Sequence, residues 1–419
     1  MLALLGLTST AALAESITQD TTGSSGTTNV SYDIAPSYAI VIPSGISLES
    51  NQTVEIKMTG LTDTENPKLL YGQTVSVTLS NARNGFSGSD GKTLSLKDGS
   101  AAVSYTLTGA NGKTGKDDMV ASFKYDPNKT LDDYKQTLTF AVTSTVQYAG
   151  NYTDQLTFTI SDGKVDISKL IGAYQAQDGD ILTGKGNADT HITVADGATV
   201  ILKDCDITAI SNDVNHKWAG ITFEGDGTIL LEGTNKVKGG YEDYPGISVP
   251  ENKTLTINGS GSLEAVSNGY GAGIGGGIQS SPCGNITISG GTVTANGGDY
   301  AAGIGTGYYC SCGNITISGG TVTANGGNRG AGAGIGSGYY SSCGDITISG
   351  STVTANGGYG AAGIGSGYYQ SSCKDVTINN TVIKVEAIKG ENASNSIGAG
   401  KNSTCGTVTI EDGANVIQN

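Results

Sequence analysis

Six tyrosines occur as three adjacent pairs, Tyr308-Tyr309, Tyr339-Tyr340 and Tyr368-Tyr369, at one position of a recurring segment. Tyr270, Tyr300 and Tyr359 form a second, looser set. A phenol ring offers an apolar face and a polar tip. Rings repeated at a fixed spacing can present a stripe on which the C–H face of a pyranose packs, while its hydroxyls meet Ser, Thr and Asn. The competing reading is a structural tyrosine stack at a wide corner, with partly buried rings. Read as strand residues, the two members of a pair face opposite ways, so one of each pair is expected outside. Asn296, Asn325 and Asn356 recur in the same segment and are expected to stack as an amide ladder at a corner. The six paired tyrosines and these three asparagines are the candidate glycan-binding set.

Other residue types carry weaker chemistry. Of seven cysteines, Cys283, Cys312, Cys343, Cys373 and Cys405 recur at steps of 29, 31, 30 and 32 and should form a column. Adjacent turns lie within disulfide reach, so pairing is not forbidden; a buried, reduced thiol ladder is the preferred reading. Cys310-Ser311-Cys312 is too short for a Cys-x-x-Cys zinc knuckle and has no matching second pair. Thr292, Thr294, Thr321, Thr323, Thr352 and Thr354 give a Thr-x-Thr array three or four turns deep. Such an array resembles the ice-binding face of β-solenoid antifreeze proteins, although Thr is also simply a good strand residue.

Enzymatic signals are sparse. His191 and His216, the two histidines, each stand alone and read as structural. Arg83 and Arg329 are the two arginines, and the repeats offer only Asp345 and Asp375 at their recurrent acidic position. Glu224, Asp226, Glu242 and Asp243 form an acidic group that could take calcium or a sugar, though solvated turn charges are the preferred reading. The Gly271–Gly276 stretch matches a dinucleotide fingerprint formally but precedes no helix, and Gly186 stands where a P-loop starting at Gly179 needs Ser or Thr. No cofactor is expected beyond such a calcium.

The elements that must position these residues are all β. ITISGGTVTANGG occurs identically at 286–298 and 315–327, and ITISGSTVTANGG occupies 346–358. Ala-Gly-Ile-Gly elements place Ile274, Ile304, Ile335 and Ile364 at steps of 30, 31 and 29. A unit of two or three short strands cannot bury its own apolar face, so it must stack on its copies. The expectation is a parallel β-helix over 163–419, with about seven rungs roughly 4.8 Å apart and right-handed coiling. Alternation points Ile286, Ile288, Val293 and Ala295 inward, and Gly290-Gly291 and Asn296-Gly297 supply corners that need positive φ. Over 28–162, period-two runs such as Val75-Ser76-Val77-Thr78-Leu79 alternate with Asn84-Gly85, Asp98-Gly99 and like turns. They predict an antiparallel β-sandwich of seven or eight strands, Ig-like in type.

Composition agrees with an exported β protein. Of 419 residues 66 are Gly and only 7 Pro, charged residues are 15%, and the net charge of -15 disfavours nucleic acid or anionic lipid as partner. Residues 1–14 read as a signal peptide ending in Ala12-Leu13-Ala14, cut short of a charged n-region, and 15–27 as a flexible Ser/Thr/Gly leader. No segment suggests membrane insertion.

Residues 178–412 resemble bacterial secreted or surface proteins labelled carbohydrate-binding domain-containing. The resemblance rests on Asp178-Gly179-Asp180-Ile181-Leu182-Thr183-Gly184, Trp218-Ala219-Gly220-Ile221, Tyr241-Glu242-Asp243-Tyr244-Pro245-Gly246-Ile247 and the Gly-Ala-Gly-Ile-Gly repeats. Pro36–Pro43 and Ala149–Asp154 are similar to their accessory sandwich modules. The resemblance implies a secreted or cell-surface bacterial protein that binds a polysaccharide or a host or cell-wall glycan, without carrying over site residues. Expected, therefore, is a non-enzymatic glycan-binding or adhesin-type protein. The alternatives are a β-helix polysaccharide lyase or glycoside hydrolase, and a structural adhesin that docks protein.

Overall fold

A computed structural model describes residues 39–42, 52–59, 69–88, 91–110, 112, 115–145, 151–279, 282–327 and 331–419. The expected signal peptide at 1–14, the leader at 15–27 and Arg329 lie outside the described residues. The chain divides into two units, the second being Lys164–Asn419. Among the described residues there is no α-helix, only two 3-10 turns at Leu131–Asp133 and Ile167–Lys169.

In the first unit two antiparallel sheets share one core. The larger runs, in order, Ala39–Val41, Gln52–Thr59, Lys135–Val142, Ala101–Thr108, Thr93–Asp98 and Phe86–Ser87. The smaller runs Met119–Lys124, Thr74–Ala82, Leu156–Ser161. Strand Thr74–Ala82 shows the cause: Val75, Val77 and Leu79 are fully buried while the intervening Thr and Ser are half-exposed. Ile56, Met58, Leu107, Leu138 and Phe140 of the larger sheet pack in the same cluster as Val75, Leu79 and Phe123 of the smaller. Among the described residues nine strands are present rather than seven or eight; the two-residue Phe86–Ser87 is too short to show a period.

The second unit is a parallel β-solenoid. One nine-stranded sheet takes a strand from each turn, from Ala173–Ala176 to Ile397–Gly398, which makes about eight turns. The estimate of about seven rungs was low at the N-terminal end. There Ala173 pairs with His191 and Ile192 with Ile221, so the turns take 18 and 29 residues and lack the repeated words. A 17-stranded sheet carries two ladders, exemplified by Ile286↔Ile315↔Ile346 and Val293↔Val322↔Val353. Each inward column is fully buried and aliphatic. Truncating one such isoleucine to Ala costs about 2–5 kcal/mol.

Glycine plays two separable roles. Gly291 and Gly320 turn the first corner at φ +79°; where Ser351 replaces the second glycine of the pair, the positive φ moves back to Gly350 at +51°. Gly297 does not have the positive φ expected of it. A Cβ there would meet the Ala302 carbonyl, so it is required by close approach of backbone.

Candidate functional site: a tyrosine-rimmed groove

After the Ile-Gly strands at Ile304, Ile335 and Ile364 the chain passes through a turn that holds the tyrosine pair. Tyr309, Tyr340 and Tyr369 have φ of +52°, +52° and +58°. The pairs are therefore turn residues, and the strand alternation that would send the two rings to opposite faces does not operate. Instead Tyr308 and Tyr309 touch edge to face, with centroids 4.5 Å apart. A column of hydroxyls holds the turn. Ser341 Oγ lies within donating distance of the carbonyls of Gly307 (2.8 Å) and Tyr339 (2.9 Å) and accepts from the Cys310 N–H at 3.1 Å. Ser371 repeats this with Gly338 and Tyr368 and accepts from the Ser341 N–H, and Ser403 accepts from the Ser371 N–H.

Side by side, the rings form a packed array. Tyr309 and Tyr340 stack at 4.6 Å and 7°, and Tyr340 meets Tyr369 at 5.2 Å and 68°. Behind them Tyr308 and Tyr339 stack at 5.9 Å, and Tyr300 packs on Tyr308 at 5.3 Å. Tyr359 meets Tyr368 at 6.1 Å. The rings thus use most of their faces on one another, not on an open stripe. Two remain well exposed: Tyr309 at 44% and Tyr359 at 42%. Tyr309 ends its row, because the preceding turn has Gln279 at the equivalent position, and among the described residues its ring partners are Tyr308 and Tyr340 alone. Burial and neighbouring phenols push the Tyr340 hydroxyl up to about 12 and raise those of Tyr308 and Tyr339 as well. These hydroxyls stay neutral at ordinary pH and can both donate and accept.

Beside this row lies a groove of about 370 Å³. It runs from Pro282 past Tyr309, Tyr340, Ser311 and Ser342 to Gln370 and Ser372. Ser311 pairs in parallel with Ser342, and Ser342 with Ser372, so a hydroxyl recurs at every turn while the following cysteine of each pair points inward. The size lies at the small end of ligand clefts, which run about 300–1,000 Å³.

The asparagines do stack: Asn325 Nδ2 donates to Asn296 Oδ1 at 2.7 Å and Asn356 Nδ2 to Asn325 Oδ1 at 2.6 Å. They end the strands Thr292–Asn296, Thr321–Asn325 and Thr352–Asn356 and do not line the groove. The Thr-x-Thr array is bounded after three turns by Glu264 on one side and by Lys384 and Glu386 on the other. A longer column extends beyond the repeated words: Thr199, Thr228, Thr256, Thr287, Thr316, Thr347, Thr377 and Thr409 stand in register over eight turns.

The acidic residues are engaged in the scaffold. Asp345 Oδ1 accepts from the Asp375 N–H at 3.2 Å, and Asp375 Oδ1 from the Thr407 N–H at 2.7 Å. They continue a ladder begun by Asn285 and Asn314, each capping the next turn. Asp226 likewise accepts from the Thr254 N–H and faces Lys253, and Glu224 accepts from Gln175. No three His, Cys, Asp or Glu among the described residues are grouped to hold a metal ion.

The histidines do not stand alone. His191 stacks on Trp218 at 4.7 Å and His216 tilts against the same ring at 5.0 Å. His216 Nε2 lies 2.9 Å from Asp189 Oδ1; Nδ1 approaches Asp213 Oδ1 at 2.9 Å as an ion pair without hydrogen-bond alignment. The two carboxylates, Asp189 first, raise the imidazole's pKa. The cysteine column differs from the reduced ladder preferred above: Cys283 and Cys312 form a disulfide, with Cα atoms 4.5 Å apart. Parallel neighbours at rung spacing lie within disulfide reach.

Among the described residues no helix is long and apolar enough to cross a membrane. A family model described as Beta helix repeat matches residues 255–278, 286–308, 315–339 and 346–368. The last three windows end on the first tyrosine of each pair, so Tyr309, Tyr340 and Tyr369 fall just beyond them. No curated protein and no solved structure matches the chain. With these repeats matched by sequence and stacked in register in space, the second unit is a β-helix built of sequence repeats.

Proposed function

We propose that this is an exported, non-enzymatic glycan-binding protein, and that the groove at Tyr309 and Tyr340 is its glycan site. The observation that carries the reading is the recurrence of Tyr at a left-handed position. A bulky residue there costs on the order of 1–3 kcal/mol, and the last turn uses Asn402, at φ +56°, in the same place. A corner that served only the backbone would favour Gly or Asn. A tyrosine kept there presents a ring beside a row of serine hydroxyls, the combination an extended sugar chain needs. The rung spacing of about 4.8 Å is close to the advance per residue of such a chain, so successive sugars would meet equivalent groups. Tyr309, with its uncovered face, supplies the stacking platform; Ser311, Ser342 and Gln370 supply the polar contacts.

A catalytic role fits less well, since Asp345 and Asp375 are occupied in capping successive turns. A glycan array probed with the full chain and with Tyr309→Ala tests the proposal. Binding to a defined glycan set that falls about tenfold or more in the variant supports it, a loss of at least ~1.4 kcal/mol. Array binding indifferent to Tyr309→Ala and Tyr340→Ala removes the site. No array binding, with capture of a purified surface protein instead, turns the reading to a protein-docking adhesin.

A further inference from the structure

The cysteine column carries an inference independent of the glycan reading. Cys283, Cys312, Cys343, Cys373 and Cys405 stand on five successive turns. Cys283 bridges Cys312, Ser311↔Ser342 sets Cys312 beside Cys343, and Cys343↔Cys373↔Cys405 pair in register. Cys283, Cys343 and Cys373 are buried and Cys405 is half-exposed. With Cys283 and Cys312 joined, three thiols remain in a row. Only one more bond between neighbours can form, either Cys343–Cys373 or Cys373–Cys405.

The geometry chooses between them. Cys373 Sγ lies 2.6 Å from Cys405 Sγ. The Cys343 thiol instead faces the Gly313 carbonyl at 3.8 Å. Adjacent parallel strands, about 4.8 Å apart, also lie inside the range of Cα separations a disulfide tolerates. We propose that Cys373 and Cys405 are a redox modification site that closes a second disulfide across the last turns of the solenoid and leaves Cys343 as a thiol. The oxidant is a small disulfide such as oxidised glutathione. The half-exposed Cys405 thiolate attacks one of its sulfurs and releases one glutathione thiolate. The Cys373 thiolate then attacks the Cys405 sulfur of the mixed disulfide and releases the second. Two cysteine sulfurs are oxidised, one glutathione disulfide is reduced to two thiols, and the two protons displaced from the cysteines end on the glutathiones. The bond ties together the turns that carry Val408 and Ile417, each 39% exposed.

Trypsin makes the test direct, because Arg329, Lys374 and Lys401 bound the relevant peptides. The purified full chain is incubated with oxidised glutathione, denatured, alkylated and digested without reduction. The expected product is peptide 330–374 covalently joined to 402–419, released by dithiothreitol, with Cys343 alkylated in the fragment spectrum. The link should persist in Cys343→Ser and vanish in Cys373→Ser. Peptide 330–374 found two hydrogens lighter with 402–419 alkylated, both peptides fully alkylated, or a link lost in Cys343→Ser would each overturn the assignment. The wild-type fragment spectrum decides the pairing even where a variant folds poorly.

Discussion

At the residue scale, Tyr309 separates backbone preference from side-chain purpose. Replacing it by Asn relieves left-handed strain of about 1–3 kcal/mol and removes stacking on Tyr340 worth about 0.5–1.5 kcal/mol. Thermal unfolding of Tyr309→Asn should therefore stay within about 1–2 kcal/mol of the parent, while glycan binding is lost. A variant that binds as the parent does would show the ring to be structural. His216 gives a second residue-scale expectation. Its pKa is raised above the ordinary 6.5, first by Asp189 and then by Asp213. Its contribution to stability is thus fully present below pH 6.5 and lost as pH rises through the raised folded value. The Asp213 carboxyl is lowered, by the Asn215 N–H and then by His216. Its contribution is present above its ordinary 3.8 and lost as pH falls through the lowered folded value. Melting temperature measured across pH should fall on the alkaline side, and His216→Gln should flatten that limb. An unchanged alkaline limb in the variant would contradict the pairing.

At the element scale, the two-residue Ile-Gly strands set how closely successive turns approach. Gly275, Gly305, Gly336 and Gly365 share φ between +131° and +135°, and a Cβ on Gly305 would overlap the Gly336 carbonyl oxygen. Gly305→Ala combines a disfavoured backbone with a steric clash, so denaturant unfolding should show a loss of about 3 kcal/mol or more. A loss under 1 kcal/mol would mean the turns can separate without cost. The same strand fixes the start of each tyrosine turn, which ties the spacing of the rings to that of the scaffold. The alternation of Ile, Val and Thr made the inward columns readable, since a period of two assigns faces directly. It does not hold for the tyrosine pairs, because Gly-Tyr-Tyr is a turn and not a strand. The left-handed φ at Tyr309 has no signal in a residue type that rarely adopts it.

At the scale of each whole unit, identical words at 286–298 and 315–327 reveal stacking without any structure, because identical segments in register place identical side chains in rows. The solenoid and the sandwich-like core were legible for that reason and through the period-two runs. The first turns were not. A turn of 18 residues, from Ala173 to its partner His191, breaks the count that would locate the earlier rungs. His191 and Trp218 then meet although 27 positions apart, so their cluster was invisible to spacing. Likewise spacing alone does not show that Asp345 and Asp375, the recurrent acids of the repeats, accept the N–H of the following turn. The groove itself follows from rows that were legible, Tyr and Ser, joined by a turn that was not.

Hydrogen–deuterium exchange of the full chain, with and without an array-selected glycan, tests the central claim most directly. The account predicts slowed exchange confined to the tyrosine turns and their serine rows, residues 307–312, 338–343 and 368–373. Protection centred on the eight-turn threonine column or on the N-terminal sandwich, with those turns unchanged, would contradict it.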